Sequence, residues 1–112
     1  MDCLFCAIIE GRIPSNKVYE DDYCYCFLDI NPQAPVHALV VPKLHISSCD
    51  GVNLENSRYI SKIFESIPEI AKALNLENGY RVTSNVGEDG CQSVKHLHFH
   101  ILGGRKLSEN MG

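Results

Sequence analysis

Hydrophobic positions follow two different periods along this chain. Between residues 54 and 74 apolar side chains recur every three or four positions, which predicts one long amphipathic helix. A short apolar run over residues 3–9, followed by Gly11, predicts a helix near the N-terminus. Alternating or compact β-branched runs predict five strands, at residues 17–20, 23–30, 36–41, 80–85 and 94–102.

The predicted order of elements is helix, three strands, main helix and two strands. The acidic turn Glu20-Asp21-Asp22 joins the first two strands as a hairpin. Strands grouped around one long helix favour an α+β domain with an antiparallel sheet. The 112 residues fall in the commonest range for one domain, so we expect residues 1–112 to form a single domain.

Composition narrows the possible partners and the compartment. The net charge of -4 and the lack of any Lys or Arg run leave little attraction for nucleic acid or for an anionic membrane surface. No apolar stretch reaches about 20 residues, and Met1-Asp2-Cys3 lacks the basic start of a signal peptide. We therefore expect a cytoplasmic protein with no nucleic-acid or membrane partner.

Six cysteines fall into two groups. Without an export signal, reduced thiols are expected. Four of them are predicted to be small buried side chains: Cys24, Cys26, Cys49 and Cys91. Cys3 and Cys6 have the spacing of a zinc half-site, which requires two more ligands.

Histidines occupy every second position of the last predicted strand, at His96, His98 and His100, with apolar residues between them. Period two places the three imidazoles on one face of the strand, about 6.6 Å apart, and the apolar residues toward the core. Such a row could chelate a metal, or one ring could be a nucleophile with the others as binding groups. The preceding Gly90-Cys91-Gln92-Ser93 offers donors for phosphate oxygens, which favours the second interpretation.

The segment His96-Leu97-His98-Phe99-His100-Ile101-Leu102 resembles the signature of the histidine-triad (HIT) family. Much of the remaining chain, from Cys3 to Gly104, resembles the Hint branch of that family, the purine nucleoside phosphoramidases. The matching segments are Cys3-Leu4-Phe5-Cys6, Ile13-Pro14, Glu20-Asp21-Asp22, Asp29 to Pro35, His37, Val41-Pro42-Lys43, His45-Ile46-Ser47 and Gly90-Cys91-Gln92-Ser93-Val94.

This resemblance implies a fold and an activity. The fold is a five-stranded antiparallel sheet with one main helix and a short N-terminal helix, and a two-fold axis pairs two such sheets in a homodimer. The activity is hydrolysis of the P–N bond of purine nucleoside 5′-phosphoramidates, derivatives of AMP or GMP. His98 matches the nucleophile, which forms a covalent nucleotidyl-histidine intermediate.

The resemblance also assigns the surrounding residues. His100 and His37 hydrogen-bond the phosphate, and His96 completes the catalytic triad. Further donors to the transition-state charge are Asn85, Gln92, Ser93 and the backbone near Val94. Asp29 binds the ribose hydroxyls, and the purine slot is formed by Phe5, Ile8, Ile13, Phe27 and Ile30.

Some bacterial members of the family complete a zinc site with the two histidines that match His45 and His96. Together with Cys3 and Cys6 these give four protein ligands, so the zinc is structural and catalysis needs no cofactor. The tail departs from the family, because Leu107 to Gly112 carries no aromatic residue where a tryptophan is usual.

Two other functions fit the same residues. One is hydrolysis of dinucleoside polyphosphates, as in another branch of the family. The other is nucleotide binding that serves contacts with partner proteins and needs no turnover.

Overall fold

The computed structural model describes residues 3–112 and has the predicted order of elements. These are α1 (Leu4–Ile9), β1 (Lys17–Glu20), β2 (Cys24–Leu28), β3 (Val36–Pro42), α2 (Ser57–Ala73), β4 (Tyr80–Thr83) and β5 (Phe99–Gly103), with a 3-10 turn at Cys49–Gly51. The strands form one antiparallel sheet in the order β1-β2-β3-β5-β4. The predicted α+β class and five-stranded antiparallel sheet are therefore confirmed. Within residues 3–112, no helix combines the length and the apolar run that a membrane crossing requires.

Alternation along the strands divides the buried residues between the two faces of the sheet. On β3, Ala38 and Val40 pack in the cluster beneath α2, whereas Leu39 and Val41 pack in the cluster beneath α1. On β5 the apolar residues, such as Ile101, face α2, as predicted. The α1 side of the sheet therefore carries a smaller apolar cluster and has room for polar side chains.

The short helix α1 begins at a sulfur atom. The Cys3 thiolate or thiol accepts the backbone N–H of Cys6 at 3.4 Å, which caps the first turn. The chain leaves the helix through Gly11, whose φ of +79° lies in the left-handed region. Phe5 and Ile8 are buried against the sheet, so α1 is anchored on the same face as Leu39.

The main helix α2 starts at Ser57, three residues later than the predicted start at residue 54. Asn53 and Asn56 form a local turn instead, in which the Asn53 side chain accepts the N–H of Asn56 and the Asn56 side chain accepts the N–H of Asn53. Side-chain bonds of this kind compete with the first helical turn. The predicted apolar face is correct, since Ile63 and Ile70 are fully buried.

The last strand is shorter than predicted, and this changes the histidine row. Strand β5 begins at Phe99, so the prediction that residues 94–98 are strand is wrong. The backbone N–H of Leu97 donates to the carbonyl of Ile46, at 2.6 Å, and not to a neighbouring strand. His96 and His98 consequently lie on an irregular approach to β5, and His100 alone lies within the strand.

Other predicted strand ends shift by one or two residues. Strand β2 spans Cys24–Leu28 and not 23–30, and β3 extends through Pro42. Strand β4 ends at Thr83 and not at 85, because the Ser84 hydroxyl bonds the His98 carbonyl at 2.8 Å in place of a ladder bond.

Two of the four cysteines predicted to be buried are exposed. Cys24 and Cys26 are fully buried, but Cys49 and Cys91 lie on the surface. Cys91 ends a surface turn over residues 87–91, in which its N–H donates to the Glu88 carbonyl at 3.0 Å and its φ is +59°.

Candidate active site

A cavity of about 500 Å³ opens on the α1 side of the sheet. Its wall is formed by α1, the loop before β1, the end of β2 with the residues that follow it, the middle of β3, the loop before β5 and β5 itself. Ten of the residues that the sequence assigned to the site line it: Phe5, Ile8, Ile13, Phe27, Asp29, Ile30, Ser93, Val94, His98 and His100. Apolar residues at one end and histidines at the other give the cavity two chemically different ends.

His98 has its ring nitrogens in distinct roles. Its Nδ1 lies 2.7 Å from the carbonyl oxygen of His96. A carbonyl only accepts, so Nδ1 carries the proton, and the neutral ring keeps its lone pair on Nε2. Nε2 has no hydrogen-bond partner among residues 3–112, and His98 lines the cavity. The Phe5 ring packs edge-on at 5.0 Å and fixes the plane of the imidazole.

His100 lies beside His98, with 5.1 Å between the ring centroids. Burial, together with the smaller effect of the neighbouring His98 and His37, lowers the pKa of His100 to about 4, so this ring is neutral at pH 7. His37 lies behind it, with its Nε2 2.9 Å from the His100 Nδ1. His37 is 4% exposed and is not part of the cavity wall, so it reaches the cavity through His100.

Asp29 follows β2 at the edge of the cavity. One carboxylate oxygen accepts the N–H of Asn31 at 2.8 Å, and the other lies 3.4 Å from the His37 Nε2. The carboxylate is therefore held in place by the protein and still lines the cavity.

The loop before β5 is held together by Gln92. Its side-chain oxygen accepts the N–H of Gly87 at 3.0 Å, and its amide nitrogen donates to the carbonyls of Ser47 and Val94 at 2.7 and 3.0 Å. Asn85 donates to the Gly90 carbonyl at 2.6 Å. Neither side chain forms part of the cavity wall, whereas Ser93 does. The side chains of Asn85 and Gln92, which were expected to bind phosphate, therefore hold the loop that carries Ser93.

The three triad histidines do not form one continuous reaction surface. The His96 ring is fully buried and points away from the cavity, toward Cys3, Cys6 and His45. The three rings lie on the α1 side of the sheet, as expected, because the apolar residues beside them pack beneath α2, but the rings occupy two different environments. His98 and His100 line the cavity, and His96 belongs to a second cluster.

That second cluster has the geometry of a metal centre. The Nδ1 atoms of His45 and His96 lie 3.2 Å apart, and the nitrogen-to-sulfur distances to Cys3 and Cys6 are 3.3 to 3.6 Å. All four donor atoms lie within 4.8 Å of one another. Tetrahedral zinc with bonds of about 2.1 Å to nitrogen and 2.3 Å to sulfur requires distances between ligand atoms of about 3.4 to 3.8 Å.

The tautomer of His96 also fits a metal ligand. Its Nε2 lies 3.0 Å from the carbonyl oxygen of Pro42, so Nε2 carries the proton and Nδ1 presents a lone pair to the cluster. Burial lowers the pKa of His96 to about 4, which keeps the ring neutral, the form that binds metals. Cys3, Cys6, His45 and His96 could therefore hold a metal ion, as the sequence suggested for zinc.

No Lys or Arg lines the cavity among the described residues. A phosphoryl group there would be bound by neutral donors, namely one imidazole N–H, the Ser93 hydroxyl and backbone amides. Donors of this kind can bind an anion without a basic patch, which is compatible with the net charge of -4.

Sequence reasoning missed part of the wall. The missed residues are Leu4, Pro14, Ser15, Asn16, Leu28, Asn31 and Leu39. Leu39 faces the site because it pairs with His100 across β3 and β5 and with Phe27 across β2 and β3. Only the strand register reveals this, although alternation on β3 could have separated Leu39 from the Ala38 face.

Comparisons with known proteins agree with the fold and the motif. The HIT domain family matches residues 10–107. Protein HitA of Neisseria gonorrhoeae is 44% identical over 102 residues, which are 91% of this chain and 95% of that protein. Protein pkiA of Dictyostelium discoideum is 46% identical over 111 residues, 96% of this chain and 87% of that protein.

Solved structures of similar proteins superpose closely. A histidine triad protein from Clostridium difficile has a TM-score of 0.94 at 50% identity, covering 98% of this chain and 96% of that one. A HIT family hydrolase from Legionella pneumophila has a TM-score of 0.94 at 43% identity, covering 99% and 100%. Since the family match spans most of the sequence and carries the triad itself, this protein is a member of the HIT family.

Proposed function

We propose that this protein is a hydrolase that cleaves the P–N bond of purine nucleoside 5′-phosphoramidates, with His98 as the nucleophile. The observation that carries the proposal is the His98 ring, whose Nδ1 is held by the His96 carbonyl at 2.7 Å while its Nε2 lone pair faces the cavity. Similar structures described as HIT family hydrolases support the reaction class.

In the first step the His98 Nε2 forms a bond to phosphorus and the P–N bond breaks. The amine leaves with the electron pair of that bond and takes up a proton from solvent water, and the water that attacks in the second step returns a proton to solvent. The ring becomes cationic, and the bond from Nδ1–H to the His96 carbonyl becomes charge-assisted. In the second step water forms a bond to phosphorus, the bond to Nε2 breaks, and AMP or GMP leaves.

The rest of the cavity fits a nucleotide. The His100 N–H, the Ser93 hydroxyl and the backbone near Val94 donate to the phosphoryl oxygens. The Asp29 carboxylate accepts the ribose hydroxyls. The purine lies between the apolar side chains, which are Phe5, Ile8, Ile13, Phe27 and Ile30.

Zinc is the metal that we propose for the second cluster. Two sulfur and two nitrogen ligands suit zinc, and four protein ligands leave no position for water, so its role is structural. It would join α1, through Cys3 and Cys6, to the segment that precedes the nucleophile, through His96. Binding there stabilises the wall of the cavity.

Metal content tests this site. We expect about one zinc ion per chain by elemental analysis, and a tetrahedral absorption spectrum when cobalt replaces zinc. Cys6→Ser should lose the metal and have a lower midpoint of thermal unfolding. Cys91→Ser, at an exposed cysteine outside the cluster, should keep the metal content and the midpoint of the parent protein. Full metal content in Cys6→Ser would refute the site.

The proposed reaction is tested by trapping its intermediate. The protein is mixed with an adenosine 5′-phosphoramidate, quenched in base and examined by mass spectrometry after digestion. We expect a nucleotidyl adduct on the peptide that contains His98, and His98→Ala should lower turnover by several orders of magnitude. Turnover that His98→Ala leaves unchanged would exclude the mechanism, and preference for diadenosine polyphosphates would exclude the proposed substrate.

A further inference from the structure

Asp29, His37 and His100 form another cluster of potential metal ligands, with donor atoms within 4.8 Å of one another. Two imidazoles and a carboxylate are a common set for divalent transition metals. What the cluster does therefore depends on where the two rings carry their protons.

The backbone of Gln33 decides the tautomer of His37. The N–H of Gln33 donates to the His37 Nδ1 at 3.0 Å, so this nitrogen holds a lone pair and the neutral ring carries its proton on Nε2. The His37 Nε2 lies 2.9 Å from the His100 Nδ1. Two N–H groups cannot face each other at that distance, so the His100 Nδ1 accepts, and His100 carries its own proton on Nε2.

This proton order argues against a metal at the cluster. A metal on the His37 Nε2 would leave the ring without a proton on either nitrogen unless the Gln33 bond broke. The cluster that contains Cys3, Cys6 and His96 differs in this respect. The His96 Nε2–H donates to a carbonyl, which leaves Nδ1 free to bind a metal. The proton positions therefore favour a metal ion at the cluster that contains His96 and disfavour one at the cluster of Asp29, His37 and His100.

We propose that the backbone N–H of Gln33 is a positioning group that makes His100 an obligatory hydrogen-bond donor to the phosphoryl group. Protons are ordered in one direction, from the Gln33 N–H to His37 and from the His37 N–H to His100. The His100 Nε2–H is then the end of the series that faces the cavity. This role rests on the proposed function, whereas the proton order itself does not.

The loop that carries Gln33 is built to hold this amide still. The side-chain amide of Gln33 donates to the Asn31 carbonyl at 3.2 Å, and the Asn31 N–H donates to the Asp29 carboxylate at 2.8 Å. The Asp29 N–H donates to the His37 carbonyl at 2.9 Å, which closes the loop. Pro32 and Pro35 restrict the backbone further.

The positions of the protons on His37 and His100 also explain why His100 does not compete with His98 as a nucleophile. The Nδ1 lone pair of His100 is occupied by His37, and its Nε2 carries a proton. His98 has the reverse arrangement, with its proton held by a carbonyl and its Nε2 lone pair toward the cavity. Adjacent rings on one wall are thereby given different chemistry by their backbone neighbours.

Long-range ¹H–¹⁵N correlation spectra of protein with ¹⁵N-labelled histidine test the proton order directly. At pH 7 we expect His37 and His100 to carry their protons on Nε2, and His98 to carry its proton on Nδ1. A proton on Nδ1 of either His37 or His100 would overturn the inference.

Removing only the Gln33 N–H tests the positioning role. Ligation at Cys24 and Cys49 allows the Gln33 residue to be replaced by its α-hydroxy acid, which turns the amide into an ester. We expect the His37 signals to move toward a mixture of tautomers, and kcat to fall about 3- to 10-fold with KM nearly unchanged. The same ester at Ala34, whose N–H has no partner among the described residues, is the matched control and should change neither.

The outcomes separate this inference from the proposed function. The expected tautomers in a protein that does not hydrolyse phosphoramidates would refute the function and leave the proton order intact. Hydrolysis by a protein whose Gln33 ester keeps the native tautomers and kcat would refute the positioning role alone.

Discussion

His96 and His98 are separated by one residue, yet His96 carries its proton on Nε2 and His98 carries its proton on Nδ1. The His96 Nε2–H donates a hydrogen bond to the Pro42 carbonyl, and the His98 Nδ1–H donates one to the His96 carbonyl. The first ring therefore presents Nδ1 to a metal cluster and the second presents Nε2 to the cavity. At the scale of single residues, nearby carbonyls assign the chemistry of each imidazole.

The buried neutral histidines make stability depend on pH. The pKa of His100 is about 4 in the folded chain and near 6.5 in the unfolded chain, so acid protonates the unfolded state first. The stabilisation from His100 is complete above pH 6.5 and is lost as the pH falls toward 4. Urea unfolding should show a loss of about 2 kcal/mol from this residue between pH 7.5 and pH 5.

The matched variant for this prediction is His100→Gln, which cannot be protonated. It should be less stable at pH 7.5 but should show a shallower loss on acidification. The pKa of His37 is also lowered by burial, so the variant keeps part of the slope. An unchanged slope in His100→Gln would contradict the assignment.

At the scale of elements, the loop before β5 is held together by its own side chains and by one glycine. Asn85 and Gln92 bond backbone groups of the loop, and Gly90 lies where a side chain does not fit. A Cβ at Gly90 would lie 2.4 Å from the carbonyl oxygen of Val86 and 2.8 Å from its nitrogen. The position of Ser93 therefore depends on a close backbone approach in the loop.

We expect Gly90→Ala to displace this loop. The added methyl group meets backbone and not a flexible side chain, so unfolding free energy should fall by about 1–3 kcal/mol. AMP binding measured by calorimetry should weaken as well, because Ser93 and Val94 follow the loop. Asp89→Ala, an exposed change in the same turn, is the control and should bind AMP as the parent protein does.

At the scale of the whole molecule, the sheet ends in two different edges. Strand β1 contains a register shift between Lys17 and Tyr19 and carries Lys17 and Glu20, features that discourage pairing with another strand. Strand β4 has a regular register with β5 and no such shift. We propose that the chain works as one domain and that β4 is the edge through which two copies join.

This assembly predicts a particle of twice the chain mass. Light scattering at micromolar concentration should give about twice 12.5 kDa, because a ten-stranded sheet pairs backbone groups that the single chain leaves open along β4. A mass of 12.5 kDa across a dilution series would exclude the dimer.

The sequence alone determined the order of the elements, the five strands, the apolar face of α2 and the membership of most residues in the cavity. The elements and the apolar face follow from local rules, since periodicity reports which face of an element is buried, whereas the residues of the cavity were implied by the family resemblance. The candidate metal ligands also emerged from the sequence, because cysteine spacing is local and the histidines were assigned by resemblance.

The resemblance already separated His96 from His98, but only the tertiary structure decided which nitrogen of each imidazole carries the proton. The start of β5 at Phe99 and the bond from the Leu97 N–H to the Ile46 carbonyl across the fold also appear only in the structure. The tautomers depend on the carbonyls of Pro42 and His96 and on the Gln33 amide, groups that every sequence contains. Backbone donors and acceptors carry no sequence signal, so their assignments appear only when the chain is folded.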